Sequence, residues 1–167
     1  MSSENHAIWK DIAAGAVGGL AASWTMNQFQ SLWAAAAKNL SNGQSGGQKP
    51  DEDATVKMAR AISRRLLHHD LAEDQKKWVG PVVHYAFGTL VGAAYGAFAG
   101  KASLARAGYG AAYGTAVWLA ADEVAVPAFG LSKASQERPV SSHVQEMAAH
   151  VVYGITTDLV RRAIVAI

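Results

Sequence analysis

The sequence predicts an all-α, polytopic membrane protein with four transmembrane helices and one amphipathic surface helix. Three observations predict it. Half of the 167 residues are apolar and only 17% are charged, where a soluble domain carries about a quarter. Four stretches are long enough to cross a hydrocarbon core, which takes about 20 apolar residues. Small and polar residues recur every fourth position on a single face of each stretch.

The spans are expected at about 12–37, 79–100, 104–129 and 144–167. The second is the cleanest, with His84 as its sole ionisable residue. The third is uncharged from Ala107 to Ala121 and then meets Asp122 and Glu123. The fourth is the most polar, holding Glu146, His150, Asp158, Arg161 and Arg162. Met1 to Asp11 lacks a basic n-region, and the first apolar stretch is longer than a signal-peptide core, so it is expected to be retained.

A linker at 38–50, including the uncharged SNGQSGGQ of Ser41 to Gln48, separates the first span from a segment of different character. Over 51–72, Val56, Ala59, Ile62, Leu66 and Leu67 recur at helical spacing, with Lys57, Arg60, Arg64 and Arg65 between them. Such a helix lies on the membrane surface or caps the bundle. His68 and His69 fall on it as solvated side chains.

The period-four stripes organise the bundle. They read Gly15, Gly19, Ser23, Asn27 and Ser31 in the first span, and His84, Gly88, Gly92, Gly96 and Gly100 in the second. They read Gly110, Gly114, Trp118 and Asp122 in the third, and Glu146, His150, Gly154, Asp158 and Arg162 in the fourth. In a membrane, small residues let helix backbones approach closely, and van der Waals packing replaces the missing hydrophobic drive. The stripes are therefore read as the helix–helix interface. His84-Tyr85-Ala86-Phe87-Gly88 and His150-Val151-Val152-Tyr153-Gly154 match in pattern, as do the glycines of the first and third spans. Together they suggest an internal duplication of a helix pair.

Up-and-down connection brings Asn27, Gln28, His84, Asp122, Glu123, Glu146 and His150 into one half of the bilayer, and Asp158 joins them as an intramembrane polar residue. Charges at such depth cost about 2.5–3.5 kcal/mol each on insertion scales and mark a site, a pathway or internal pairing. Three readings stay open: hydrogen bonds that tie the helices together, a proton or cation relay, and a haem or metal site built on His84 with His150 or on His143, Glu146 and His150. No cofactor and no metal is assigned.

Other functions are excluded or unsupported. There are no cysteines, hence no disulfides or thiolate chemistry. A formal charge of +2 without a basic, aromatic-studded stripe speaks against nucleic acid. No phosphate loop or nucleophile elbow is present, so the chain is read as a non-enzyme. Trp9, Trp33, Trp78 and Tyr85 sit near the proposed boundaries, as interfacial aromatics do.

Pro127-Ala128-Phe129-Gly130-Leu131, Pro139, Glu146, His150-Val151-Val152-Tyr153, Asp158 and Val160-Arg161-Arg162 together resemble the YagU-like family of small bacterial inner-membrane proteins. The likeness covers about the last third of the chain. The Pro-rich segment those proteins carry after their first span is missing here. The resemblance implies a multi-pass inner-membrane location, an unassigned biochemical role with a suggested link to acid tolerance, and no catalytic residues. With the terminal Arg161-Arg162 it also implies cytoplasmic termini. Expected partners are the lipid bilayer and either a homo-oligomer or a larger membrane complex; expected roles are stress or membrane-integrity protein, or accessory subunit.

Overall fold

The computed structural model describes residues 3–40, 54–63, 73–132 and 135–167, and everything described is helix, turn or loop. Helix α1 runs Ser3–Leu40, α2 Ala54–Ile62 and α3 Glu73–Ala99. Helix α4 starts as Ala111–Trp118, passes through a π-helical Leu119–Ala125 and finishes in Val126–Ala128; α5 runs Val140–Val165. Short 3-10 turns at Ser103–Arg106 and Ser135–Glu137 lie in the connections. Most of the linker expected at 38–50 and residues 64–72 of the expected amphipathic helix, His68 and His69 included, lie outside the described residues.

The all-α prediction holds. Among the described residues one stretch, Lys77–Ala99, is long and apolar enough to cross a membrane by length and composition. Of an 18-residue window within it, 28% is buried inside the chain.

Helices α1 and α3 begin at Ser3 and Glu73, ahead of the spans expected from 12 and 79, and the starts of two further helices shift for identifiable reasons. Helix α4 starts at Ala111 rather than near residue 104 because Gly108, Tyr109 and Gly110 take left-handed backbone angles, φ 60°, 57° and 89°. A helix cannot propagate through them. Helix α5 starts earlier than expected, at Val140, because Pro139 with φ −67° and ψ 146° is extended and delivers the chain into the first turn.

Helix α1 packs against both α3 and α5, and α4 packs against α5. The glycine stripes sit where these helices touch. A Cβ on Gly15 would strike the carbonyl oxygen of Gly92, and one on Gly19 that of Gly88. In the other pair, Gly110 meets the Gly154 carbonyl and Gly114 that of His150. Both pairs are antiparallel and pack by the same device, with registers that differ by one turn. Gly100 corrects the expectation: α3 ends at Ala99, and nothing lies within 4 Å of a Cβ built there.

The interior is small and polar by the standard of a soluble core. Ser23, Tyr95, Thr157 and Asp158 are its largest fully buried side chains. Val17, Leu20 and Trp24 of α1, Val82 and Leu90 of α3, Leu119 and Val124 of α4, and Leu159 of α5 are exposed.

Candidate functional site

Helices α3 and α4 meet at one end of the bundle, where the rings of Tyr95 and Tyr113 pack at a tilt with centroids 4.7 Å apart and the Tyr113 hydroxyl donates to the Val91 carbonyl at 2.8 Å. Away from that contact a cavity of about 1080 Å³ opens between them. Its floor comes from α1, with Ser23, Met26, Asn27 and Gln30, and from α5, with Glu146, His150 and Tyr153. Helix α2 covers part of it, contributing Thr55, Lys57 and Met58, and packs Val56 against Gly80 of α3. The amphipathic segment thus caps the bundle.

The π-helical turn explains how two adjacent acids both face inward. Pro127 has no N–H to give the carbonyl four residues back, and its ring crowds that turn. The chain answers with the wider i→i+5 repeat, a form that favours functional sites. The repeat also lessens the angular step between Asp122 and Glu123. Asp122 lines the cavity beside His150, while Glu123 turns towards the connection before α5.

There the Arg138 guanidinium is clamped between carboxylates. Its Nη2 donates to Glu123 Oε1 at 2.9 Å and to Glu146 Oε2 at 2.6 Å, and Nη1 reaches Glu146 Oε1 at 3.2 Å. The bidentate grip on Glu146 is the strong geometry for this pair. His143 Nδ1 donates to Glu123 Oε1 at 2.7 Å, so its 3.2 Å approach to Arg138 is a contact between two donors. His150 Nδ1 donates to the Glu146 carbonyl at 2.9 Å, one turn back along its own helix. Asp122 Oδ2 lies 3.6 Å from that nitrogen, beyond hydrogen-bond reach.

Of the predicted cluster, Asn27, His84, Asp122, Glu146 and His150 line the one cavity, and Glu123 adjoins it through Arg138. Asn27 donates to the Tyr85 hydroxyl at 3.4 Å, and His84 Nε2 lies 3.5 Å from the Ser23 carbonyl. Two members fall elsewhere. Gln28 is exposed, because one residue along an α-helix turns about 100°. Asp158 sits two turns beyond His150, fully buried near the opposite end of the bundle. There it accepts from the Tyr95 hydroxyl at 2.7 Å and pairs with Arg162 at 2.7 Å. Arg161 beside it binds Asp11 of α1 at 2.6 Å.

Gln30, Lys57 and Arg138 were not anticipated at the site. Gln30 carries the signal that was available, since it lies three residues after Asn27 on the same helix face.

Glu123, His143 and Glu146 offer ligand atoms within 4.8 Å of one another, a set able to hold a divalent cation. Arg138 occupies those same carboxylate oxygens, so an ion has to displace it. Arg138→Gln should leave two facing carboxylates without their cation and destabilise the protein by about 3 kcal/mol. Thermal melts in detergent check this, with added Zn²⁺ expected to recover part of the loss. A variant that melts like the parent contradicts the clamp.

No curated protein and no solved structure matches the chain. A protein-family model does, over residues 49–159. The match takes in α2, α3, α4 and most of α5, including every charged residue of the cavity and all of the Arg138 clamp, and it reaches well ahead of the Pro127-to-Arg162 stretch that carries the YagU-like resemblance. By that match over most of its length, the chain belongs to the family described as "Protein of unknown function (DUF1440)".

Proposed function

We propose that the chain is a four-span, non-enzymatic membrane protein whose cavity serves as a binding site in one half of the bilayer. Its place is the bacterial inner membrane, as the YagU-like resemblance suggests. Its role is that of a stress or membrane-integrity protein, or of an accessory subunit, surrounded by lipid and able to join further copies or a larger complex.

The observation that carries this reading is the inverted distribution of side chains. Apolar residues such as Leu90, Leu119 and Leu159 face outward on three helices, while Ser23, Thr157, Asp158, Arg161 and His150 are buried. Water would penalise that arrangement, and hydrocarbon favours it. The ionisable groups at the site are largely committed to one another, which suits positioning and counter-charge better than turnover.

A proton or cation relay draws less support. Between the Asp122 cluster and the Asp158 cluster the helices close on glycine backbones, and Tyr153 and Tyr113 spend their hydroxyls on the carbonyls of Gly88 and Val91. Tyr95, which donates to Asp158, and Tyr113, which lines the cavity, touch through their rings while each hydroxyl donates elsewhere.

The absence of cysteine makes topology directly testable. Single cysteines at Lys38 and Gln136 should react with a membrane-impermeant maleimide from one side. Those at Lys101 and Ile167 should react from the other. Labelling of all four from the same side defeats the four-span reading.

A further inference from the structure

We propose that the cavity takes an amphipathic cation, a bulky apolar body bearing one positive charge, with Asp122 as its counter-ion. The inference rests on the reading of the chain as a membrane-embedded binding protein and names the class of ligand.

Shape and lining set the apolar part. At about 1080 Å³ the cavity reaches the upper end of the range for drug-sized ligands, about 300–1,000 Å³. Met26, Met58, Phe87, Val91, Val117 and Phe129 supply apolar walls from four different helices. Phe87 of α3 and Phe129 just after α4 line the cavity and are exposed, so the cavity opens between α3 and α4; in the four-span reading a molecule dissolved in lipid enters there. Methionine and aromatic walls adapt to varied apolar shapes and present π faces to a cation.

Charge sets the polar part. Asp122, Glu146, Arg138 and Lys57 line the cavity, with Glu123 immediately behind. Arg138 is committed to Glu123 and Glu146 together, so the three carboxylates and one guanidinium leave a net negative wall. Lys57 belongs to α2, on the covering side, and makes contacts of its own.

Asp122 is the carboxylate left over. Among the described residues it accepts no hydrogen bond, and its nearest cationic candidate, His150 Nδ1, is 3.6 Å away with its proton given to the Glu146 carbonyl. A half-buried carboxylate short of donors calls for a positive charge from outside. An anionic amphiphile would meet the same wall with the wrong sign.

The test uses the full chain in nanodiscs and equilibrium dialysis of tetraphenylphosphonium, with neutral triphenylphosphine oxide as comparator and empty nanodiscs as blank. The parent should retain the cation saturably, at one per chain, and show no saturable uptake of the neutral compound. Asp122→Asn should weaken retention by about tenfold or more, and Asp122→Glu should restore most of it. Ala120 also lines the cavity, so Ala120→Phe fills part of it without touching a charge and should also lower retention. Equal affinity in Asp122→Asn and the parent, or equal uptake of the neutral comparator, overturns the proposal. Alternating cysteine labelling with no saturable cation removes this ligand and leaves the four-span reading standing. One-sided labelling removes that reading itself.

Discussion

Gly92→Ala and Gly114→Ala should each cost about 3 kcal/mol of stability, at the upper end for overpacked interiors, while Gly100→Ala should be neutral or slightly stabilising. The atoms in the way decide this. A Cβ on Gly92 would lie against the Gly15 carbonyl oxygen, 2.6 Å from the Gly19 Cα and 2.7 Å from its nitrogen. One on Gly114 would strike the His150 carbonyl oxygen and lie 2.8 Å from its carbon. These are backbone atoms of a neighbouring helix, so no rotamer change relieves the clash and whole helices must separate. At Gly100 the helix has ended, nothing lies within 4 Å, and alanine only restricts the unfolded chain. Gly92 also reports on the α1–α3 contact and Gly114 on the α4–α5 contact, so the two substitutions probe the two pairs separately. Unfolding in mixed micelles, followed by far-UV circular dichroism, reads the difference. Parental stability in Gly92→Ala would show that α1 and α3 do not approach this closely.

That interface was legible in the sequence because glycine at every fourth position has few other uses in a helix. The same periodicity misled at Gly100, since a repeat does not announce where its helix stops. The Phe98 carbonyl accepts from Lys101 and Ala102 and turns the chain out of α3. Asn27-Gln28 and Asp122-Glu123 look alike in sequence, yet only the second pair keeps both members inward. The difference is Pro127, whose effect on the preceding turn is a backbone adjustment that side-chain spacing does not encode. Asp158 shares a stripe with His150, but eight residues of helix carry it about 12 Å along the axis, out of the cavity and into another polar group. Arg138 lies in a connection without periodicity, where a basic residue reads simply as a flanking charge. The cavity depends on α3 and α4 diverging from the Tyr95–Tyr113 contact, a tertiary event that no local pattern contains.

Asp158→Leu should be among the most damaging single changes, costing about 3–5 kcal/mol, because it breaks a buried ion pair from one side. Asp158 is fully buried and holds together three groups: the Tyr95 hydroxyl at 2.7 Å, Arg162 at 2.7 Å and, at 4.0 Å, Arg161. Its removal leaves Tyr95, equally buried, with no acceptor, and takes the counter-charge from Arg162, which also rests over the Tyr109 ring at 5.3 Å. Tyr95→Phe removes one hydrogen bond to a charged acceptor and should cost less, about 1.5–3 kcal/mol. Asp158→Asn keeps an acceptor for Tyr95 but gives up the charge, so it should fall between the two. Because Asp158→Leu already takes away the oxygen to which Tyr95 donates, the double change Tyr95→Phe with Asp158→Leu should cost less than the sum of the singles. Arg161 offers a control in the same place: its firm partner is Asp11 of α1 at 2.6 Å, so Asp11→Asn should add its own penalty nearly independently of Tyr95→Phe. Additive behaviour of Tyr95 and Asp158 would mean that the hydrogen bond contributes nothing, and that the burial of Asp158 is sustained by the two arginines alone.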